Sequence, residues 1–313
     1  MAPTVLIVGA TGNTGRSVVE TLPKLLENTK LASHRILALT RDASSPAAQA
    51  LASLPRVEIA EQNWVEIDDT WLRESEVARI FIASPVQPNQ FAEEGQFLVN
   101  ALRAGVKYVV RISTTAANVR PNTLAYYSRT HWAIETMLGQ PEFKELHWTS
   151  LQPNAFMPLA LGAAAGLIRN FKQTRKQGPL SIILDASTPT GLIDPYDVGV
   201  LAAHLLAQED TTSHNQAKYV LNGPEDVTGE QIAKMVEQYI GEPVKDVRFR
   251  DVAFVDQMVA NSSESKNVIG SIKFAPVTIW EGEAKAETTS KEIFDLYAPK
   301  RTAAEVLKQL VEA

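Results

Sequence analysis

The chain of 313 residues contains no cysteine. That excludes a thiol nucleophile, thiolate-held zinc and any disulfide framework, and it fits a reducing compartment. There is no excess of positive charge either. Thirty Lys and Arg face 36 Asp and Glu, a formal net charge of −6, which argues against direct binding to nucleic acid. The densest basic cluster, residues 172–176, has three cations and no interleaved aromatic, and reads as a solvated helix face. The five histidines (34, 131, 147, 204 and 214) show no close ligand spacing, so no metal site is expected. Long apolar runs are missing. The most apolar segment, residues 155–168, is too short to span a bilayer and carries Pro158, Gly162 and Gly166; it suits a pocket wall or an internal helix. The sequence reads directly into a strand at its start, so no signal peptide is expected. Repeats and low-complexity tracts are absent. With 45% apolar and 21% charged residues, one large or two modest globular domains are expected, in the cytoplasm, with the nucleus left open.

What is present is organised around residues 5–15, VLIVGATGNTG. Val5, Leu6, Ile7 and Val8 form the continuous apolar run of a strand buried on both faces of a parallel sheet. Gly9, Gly12 and Gly15 then remove side chains where a backbone must bend, approach a pyrophosphate and pack a helix against the strand. Thr11, Asn13 and Thr14 lie between them, and an amphipathic helix follows through Val18, Val19, Leu22, Leu25 and Leu26. Its free N-terminal NH groups and partial positive charge suit phosphates. The spacing is G-x-x-G-x-x-G, a departure from G-x-G-x-x-G, so the flanking strand and helix carry most of the weight.

Further strands are predicted at residues 35–40, 57–60, 79–84, 107–112 and 147–151, alternating with helices. That alternation calls for a doubly wound parallel α/β sheet. The second strand ends in Thr40, Arg41, Asp42. An acid at this place accepts from a free ribose 2′-hydroxyl, whereas an Arg holds a 2′-phosphate. Arg41 comes first, which favours NADP(H) over NAD(H), with Asp42 moderating the preference. Asn63 and Trp64 follow the third strand as a loose adenine contact, Trp64 being equally a core residue. Ala83, Ser84 and Pro85 end the fourth strand beside the glycine turn, at the carboxyl edge where open parallel sheets bind ligands. Pro121 and Asn122 open a helix in which Tyr127, His131 and Glu135 share one face. Later, residues 181–184 and 218–221 suit strands, Thr228 and Gln231 have capping-box spacing, and a tail helix starts near Thr302. Residues 242–300 are poorly patterned.

Ser113 at a strand end, followed by Tyr127 with a partner four residues on, is the layout used by short-chain dehydrogenases. There the Tyr hydroxyl is the general acid, Ser orients the substrate oxygen, and a Lys lowers the Tyr pKa and holds the nicotinamide ribose. Here His131 stands where that Lys is expected. Together with VGATGNTG, the His131 to Glu135 spacing, WTSLQPNAFM and LIDPYDVGVLAAHLL, the chain resembles the NmrA-like branch of the atypical short-chain dehydrogenases/reductases over residues 4–240. The resemblance implies a Rossmann domain, an NADP(H) site and a small C-terminal domain closing a cleft. It implies one of two activities: reduction of a small carbonyl, enone or quinone, or dinucleotide sensing without turnover, through a regulatory protein partner.

The catalytic candidates are therefore Ser113, Tyr127 and His131, with Tyr126 as an alternative to its neighbour. His131 is either a ribose contact or an ordinary helix-surface residue. Cofactor contacts are expected from Gly9, Thr11, Gly12, Asn13, Thr14, Gly15, Arg41, Ala83, Ser84, Pro85, Ser113, His131 and Asn154. Pro85, Gln152, Asn154, Phe156 and Met157 are expected to line a pocket for a small aromatic or apolar substrate, Phe156 and Met157 being equally suited to core packing. Gln152 stands where many relatives have Arg, so no salt bridge to an acidic substrate is expected from it. The expected dinucleotide-binding unit is residues 1–152 with 190–222 returning to it; residues 153–189 and 223–313 form the smaller unit.

Overall fold

The computed structural model describes residues 2–313. Strands β1 (Thr4–Val8), β2 (Arg35–Thr40), β3 (Val57–Glu61), β4 (Val77–Ile82), β5 (Tyr108–Ile112) and β6 (His147–Pro153) belong to one parallel sheet. Short β7 (Leu180–Ser181) leaves it to pair with β9 (Val247–Arg248), and β8 (Ala217–Leu221) completes it. The order is β3-β2-β1-β4-β5-β6-β8. β1 thus lies between β2 and β4, pairing Val5 with both Ile36 and Arg79. The chain winds outward through β2 and β3, then returns to β4. The winding direction reverses between β1 and β4, and in open parallel sheets the ligand crevice belongs at the carboxyl ends of the strands at such a point. This is the expected doubly wound α/β fold.

The helices are α1 (Gly15–Leu26), α2 (Pro46–Ala52), α3 (Asp69–Glu74), α4 (Gln90–Ala104), α5 (Tyr126–Leu138), α6 (Met157–Thr174), α7 (Pro195–Leu206), α8 (Gly229–Ile240), α9 (Phe254–Asn261), α10 (Lys266–Gly270), α11 (Val277–Trp280) and α12 (Ala303–Glu312). Because β1 is buried on both faces, its residues split between two cores. Val5 and Ile7 pack with Val18 and Leu22 of α1 and Leu201 and Leu205 of α7. Leu6 and Val8 pack with Phe97 and Leu98 of α4 and Ile134 of α5. A third core joins Leu161 and Ile168 of α6, Ile232 and Val236 of α8, and Leu307 of α12.

Local signals mark most boundaries. Gly105 and Gly241 close α4 and α8 in the left-handed conformation, with φ of +80° and +78°. Thr228 with Gln231, and Thr302 with Glu305, form complete capping boxes. Two expectations are corrected. α5 begins at Tyr126, because Pro121 and Asn122 lie in a turn whose later carbonyls, on Thr123 and Leu124, accept from Arg129. The strand expected at 181–184 is the two-residue β7, with hydrogen bonding to the segment around β9. Residues 242–300 form β9, short helices and turns, tied to the turn after β5 and to the start of α5: Asn118 donates to the Ala275 carbonyl (2.9 Å), and Ser271 Oγ accepts from the Tyr126 amide (3.1 Å). Among the described residues no helix is long and apolar enough to cross a membrane.

Candidate active site

The glycine turn lies at the mouth of the crevice. Gly9 has φ +82°, and a Cβ on it would meet the Ala83 carbonyl oxygen at 3.1 Å, so the β1 and β4 ends approach as only glycine allows. Gly15 is tighter still: a Cβ there would overlap the Gly9 carbonyl, which fixes how closely α1 starts behind β1. Thr11, Gly12 and Asn13 are exposed. The Gly12 amide donates back to the Gly9 carbonyl (3.0 Å), closing the turn. The amides of Asn13, Thr14 and Gly15 make no hydrogen bond among the described residues, and Thr14 gives no side-chain cap. A helix N-terminus with free donors and no acid in its first turn is an anion cradle.

At the end of β2, Arg41 is exposed and makes no ion pair among the described residues. Asp42 beside it is engaged. Its Oδ1 accepts from the Ser44 amide (2.8 Å) and Ser44 Oγ (2.6 Å), bonds that hold the carboxyl below its ordinary range. Trp64 packs edge-on against Phe97, ring centroids 5.7 Å apart, in the core beneath α4.

Behind the ends of β4, β5 and β6 lies a buried polar network. Arg111 of β5 pairs in register with Ser150 of β6. Its guanidinium, wholly buried, donates to Glu94 Oε1 (2.7 Å), Ser150 Oγ (3.0 Å) and His131 Nδ1 (2.9 Å). Glu135 accepts from Ser150 Oγ (2.7 Å) and from Gln152 Nε2 at both oxygens (3.1 Å each), and Lys218 Nζ lies 3.5 Å away. Ser84 Oγ donates to Glu94 Oε2 (2.6 Å). The carboxylates and cations are matched in number, as burial of charge requires. His131 is 3% exposed, so the helix-surface reading is corrected. Burial first, then the Arg111 charge, hold its pKa well below the ordinary imidazole value.

Tyr127 is half-buried, its ring edge-on to His131 at 6.4 Å. Burial pushes its phenol up from the ordinary value, opposed by the hydroxyls of Thr114 and Ser128. Ser113, just beyond β5, is buried, and its Oγ has no partner among the described residues. Such a hydroxyl is costly to bury unless something else bonds it.

Three expected pocket residues have other partners in the fold, and for Met157 the core-packing alternative holds. Gln152 turns its amide onto Glu135. Asn154 donates to the carbonyls of Gly191 (3.0 Å) and Ala284 (3.1 Å), tying the end of β6 to two later segments. Met157 is fully buried in the third core. Phe156 is half-buried against the α1 face, Ala83 and Ser84 line the strand end, and Pro85 is exposed at the mouth. Sequence reasoning missed Arg111, Glu94 and Ser150. The available signal was an Arg inside KYVVRI, a strand otherwise apolar enough to be central. Among the described residues no group of three or more His, Cys, Asp or Glu side chains is placed to hold a metal.

The model of the NmrA-like family matches residues 1–294. The chain belongs to the NmrA-like family. This NmrA-like protein is 27% identical over 243 residues to an NAD(P)H azoreductase of Xenophilus azovorans, covering 78% of this chain and 76% of the relative. Its fold is shared with an NADPH-dependent quinone oxidoreductase of Escherichia coli solved with NADPH, with TM-score 0.70 and 20% identity over 98% and 99% of the two chains. A triphenylmethane reductase of Citrobacter sp. solved with NADP(H) superposes at TM-score 0.69, with 16% identity over 98% and 99%.

Proposed function

We propose that this chain is an NADP(H)-dependent reductase of a small, conjugated aromatic or apolar acceptor such as a quinone, an enone or an azo compound. The observation that carries the reading is the open glycine turn with three unpartnered amides at the reversal point of the sheet. The activities of the relatives, azo reduction with NAD(P)H and quinone reduction with NADPH, support the acceptor class. Gly9, Gly12 and the amides of residues 13–15 would hold the pyrophosphate, and Arg41 the 2′-phosphate. When bound, the dinucleotide supplies a hydride.

The side chains around the β5 end then have separable tasks. Ser113 Oγ, buried without a partner, and the Tyr127 phenol are donors available to an acceptor atom as it gains negative charge. Among the described residues no cation pairs with the phenol, since Arg111 spends its bonds on Glu94, Ser150 and His131. A phenol whose pKa is raised is a weak acid, which suits acceptors that need a hydride more than a proton. The third core, built from residues 153–189 and 223–313 with Leu192 added, supports a substrate-side unit close to those bounds. A nucleic acid, a membrane and a regulatory partner play no part in this reading.

The test is titration of the purified protein with NADPH, NADP+ and NADH, followed by quenching of native tryptophan fluorescence. Oxidation of bound NADPH is then measured against quinones, enones and azo dyes. Tighter NADPH than NADH, with oxidation by one acceptor class, is expected. Binding without turnover across the panel would favour the sensing alternative; no dinucleotide binding would overturn both.

A further inference from the structure

We propose that Arg111 is a positioning residue of this site: by donating to Nδ1 of His131 it fixes a neutral imidazole with its proton on Nε2, so that position 131 offers a hydrogen-bond donor without a charge. A guanidinium has only donors and stays charged in proteins. At 2.9 Å from Arg111, His131 Nδ1 must therefore be the acceptor, which leaves the ring proton on Nε2. An imidazolium would set N–H against N–H and one cation against another.

The guanidinium cannot swing away. Glu94 of α4 and Ser150 of β6 hold its other nitrogens, and Glu135, one turn along α5 from His131, lies 3.7 Å from it. Lys218 of β8 reaches only Glu135. The remaining neighbour of the imidazole, Tyr127, presents a ring edge. Among the described residues no carboxylate pairs with the imidazole to stabilise a charge on it, and Nε2 makes no hydrogen bond. What Nε2–H meets, a ribose hydroxyl, rests on the proposed dinucleotide site; the tautomer does not. One consequence is that affinity for NADH, which carries no titrating 2′-phosphate, stays flat through the pH range in which a free histidine titrates, near 6.5.

The experiment uses the full-length, ligand-free protein labelled with 15N-histidine, and reads long-range 15N–1H correlations. The His131 signals are assigned by their loss in His131→Gln. An Nε2–H pattern unchanged between about pH 5.5 and 8 is expected. A proton on Nδ1, or a midpoint near 6.5, overturns the proposal. Two variants then test Arg111 itself: Arg111→Lys, and the pair Arg111→Met with Glu94→Gln, which removes the buried cation together with its counter-charge. In the paired variant the tautomer should no longer be fixed, an Nδ1–H signal appearing beside Nε2–H, and NADH affinity should fall about five- to tenfold; Arg111→Lys, which keeps a cationic donor, should retain the Nε2–H form. A folded paired variant whose His131 spectrum matches the wild type overturns the assignment. A fixed tautomer in a protein that binds no dinucleotide would leave Arg111's role standing and remove only its proposed ligand.

Discussion

At the end of β2 two opposite charges are adjacent in sequence, and only one is free. Asp42 has its carboxylate held by Ser44, while Arg41 is exposed without a partner among the described residues. A 2′-phosphate arriving there meets a cation with five open donors beside an acid already engaged. Arg41→Ala should therefore weaken NADPH by about 1.5 to 3 kcal/mol, the worth of a charged hydrogen bond, and leave NADH nearly unchanged. Fluorescence titration with each cofactor checks it, and equal losses would remove the 2′-phosphate assignment. The charges behind the site obey a stricter rule. Glu94 is 1% exposed against Arg111, so Glu94→Ala strands a buried guanidinium and should cost about 3 to 5 kcal/mol of stability in urea unfolding.

Helix α1 is held in place by glycines on two sides, and they differ in what a side chain would do. Gly12 is exposed and a Cβ on it would meet only the Gly9 carbonyl, at 3.1 Å, so Gly12→Val should fold with a melting temperature near wild type and yet lose either dinucleotide. Gly199 is different. A Cβ there would overlap Ser17 Oγ and the Thr14 carbonyl, where α7 crosses the first turn of α1. Gly199→Ala should destabilise by about 1 to 3 kcal/mol, as overpacking does, and Ser17→Gly should restore only part of it, because the Thr14 carbonyl remains. Retained dinucleotide binding by Gly12→Val would make the turn purely structural. These elements were legible because local rules govern them: β1 and its turn through apolar run and glycine spacing, α8 through Thr228, Gln231 and Gly241. Gly199 was not. Its reason is a contact with Ser17, 182 positions earlier by the residue numbers, and no local pattern marks such a crossing. Arg111 was hidden in the same way, since its partners Glu94, His131 and Ser150 come from three other elements.

Across the whole molecule, burial moves four of the five histidines in one direction. His34, His131, His204 and His214 are all lowered, desolvation being the largest cause in each, with Arg79, Arg111 and Lys300 adding to it at the first three. None of these shifts was visible in the sequence, where the histidines stood out only for lacking ligand spacing. In the unfolded chain the imidazoles take up protons near pH 6.5, whereas the folded chain resists until lower pH. The unfolded state therefore binds more protons in that window, and folding stability must fall as pH drops below about 6.5. The carboxylates act in a separate window. Asp42, Asp69, Asp185 and Asp251 are lowered by hydrogen bonds from Ser44, Arg73, the Ser187 amide and Ser181 respectively, so their contribution persists above about pH 4 and is lost below it. Urea midpoints taken from pH 8 down to pH 3 should show two descents, one beginning near 6.5 and a second near 4. His131→Gln should shallow the first and leave the second in place. A midpoint flat from pH 8 to 5 would mean that the folded protein accepts these protons freely, which would also contradict a His131 held neutral by Arg111.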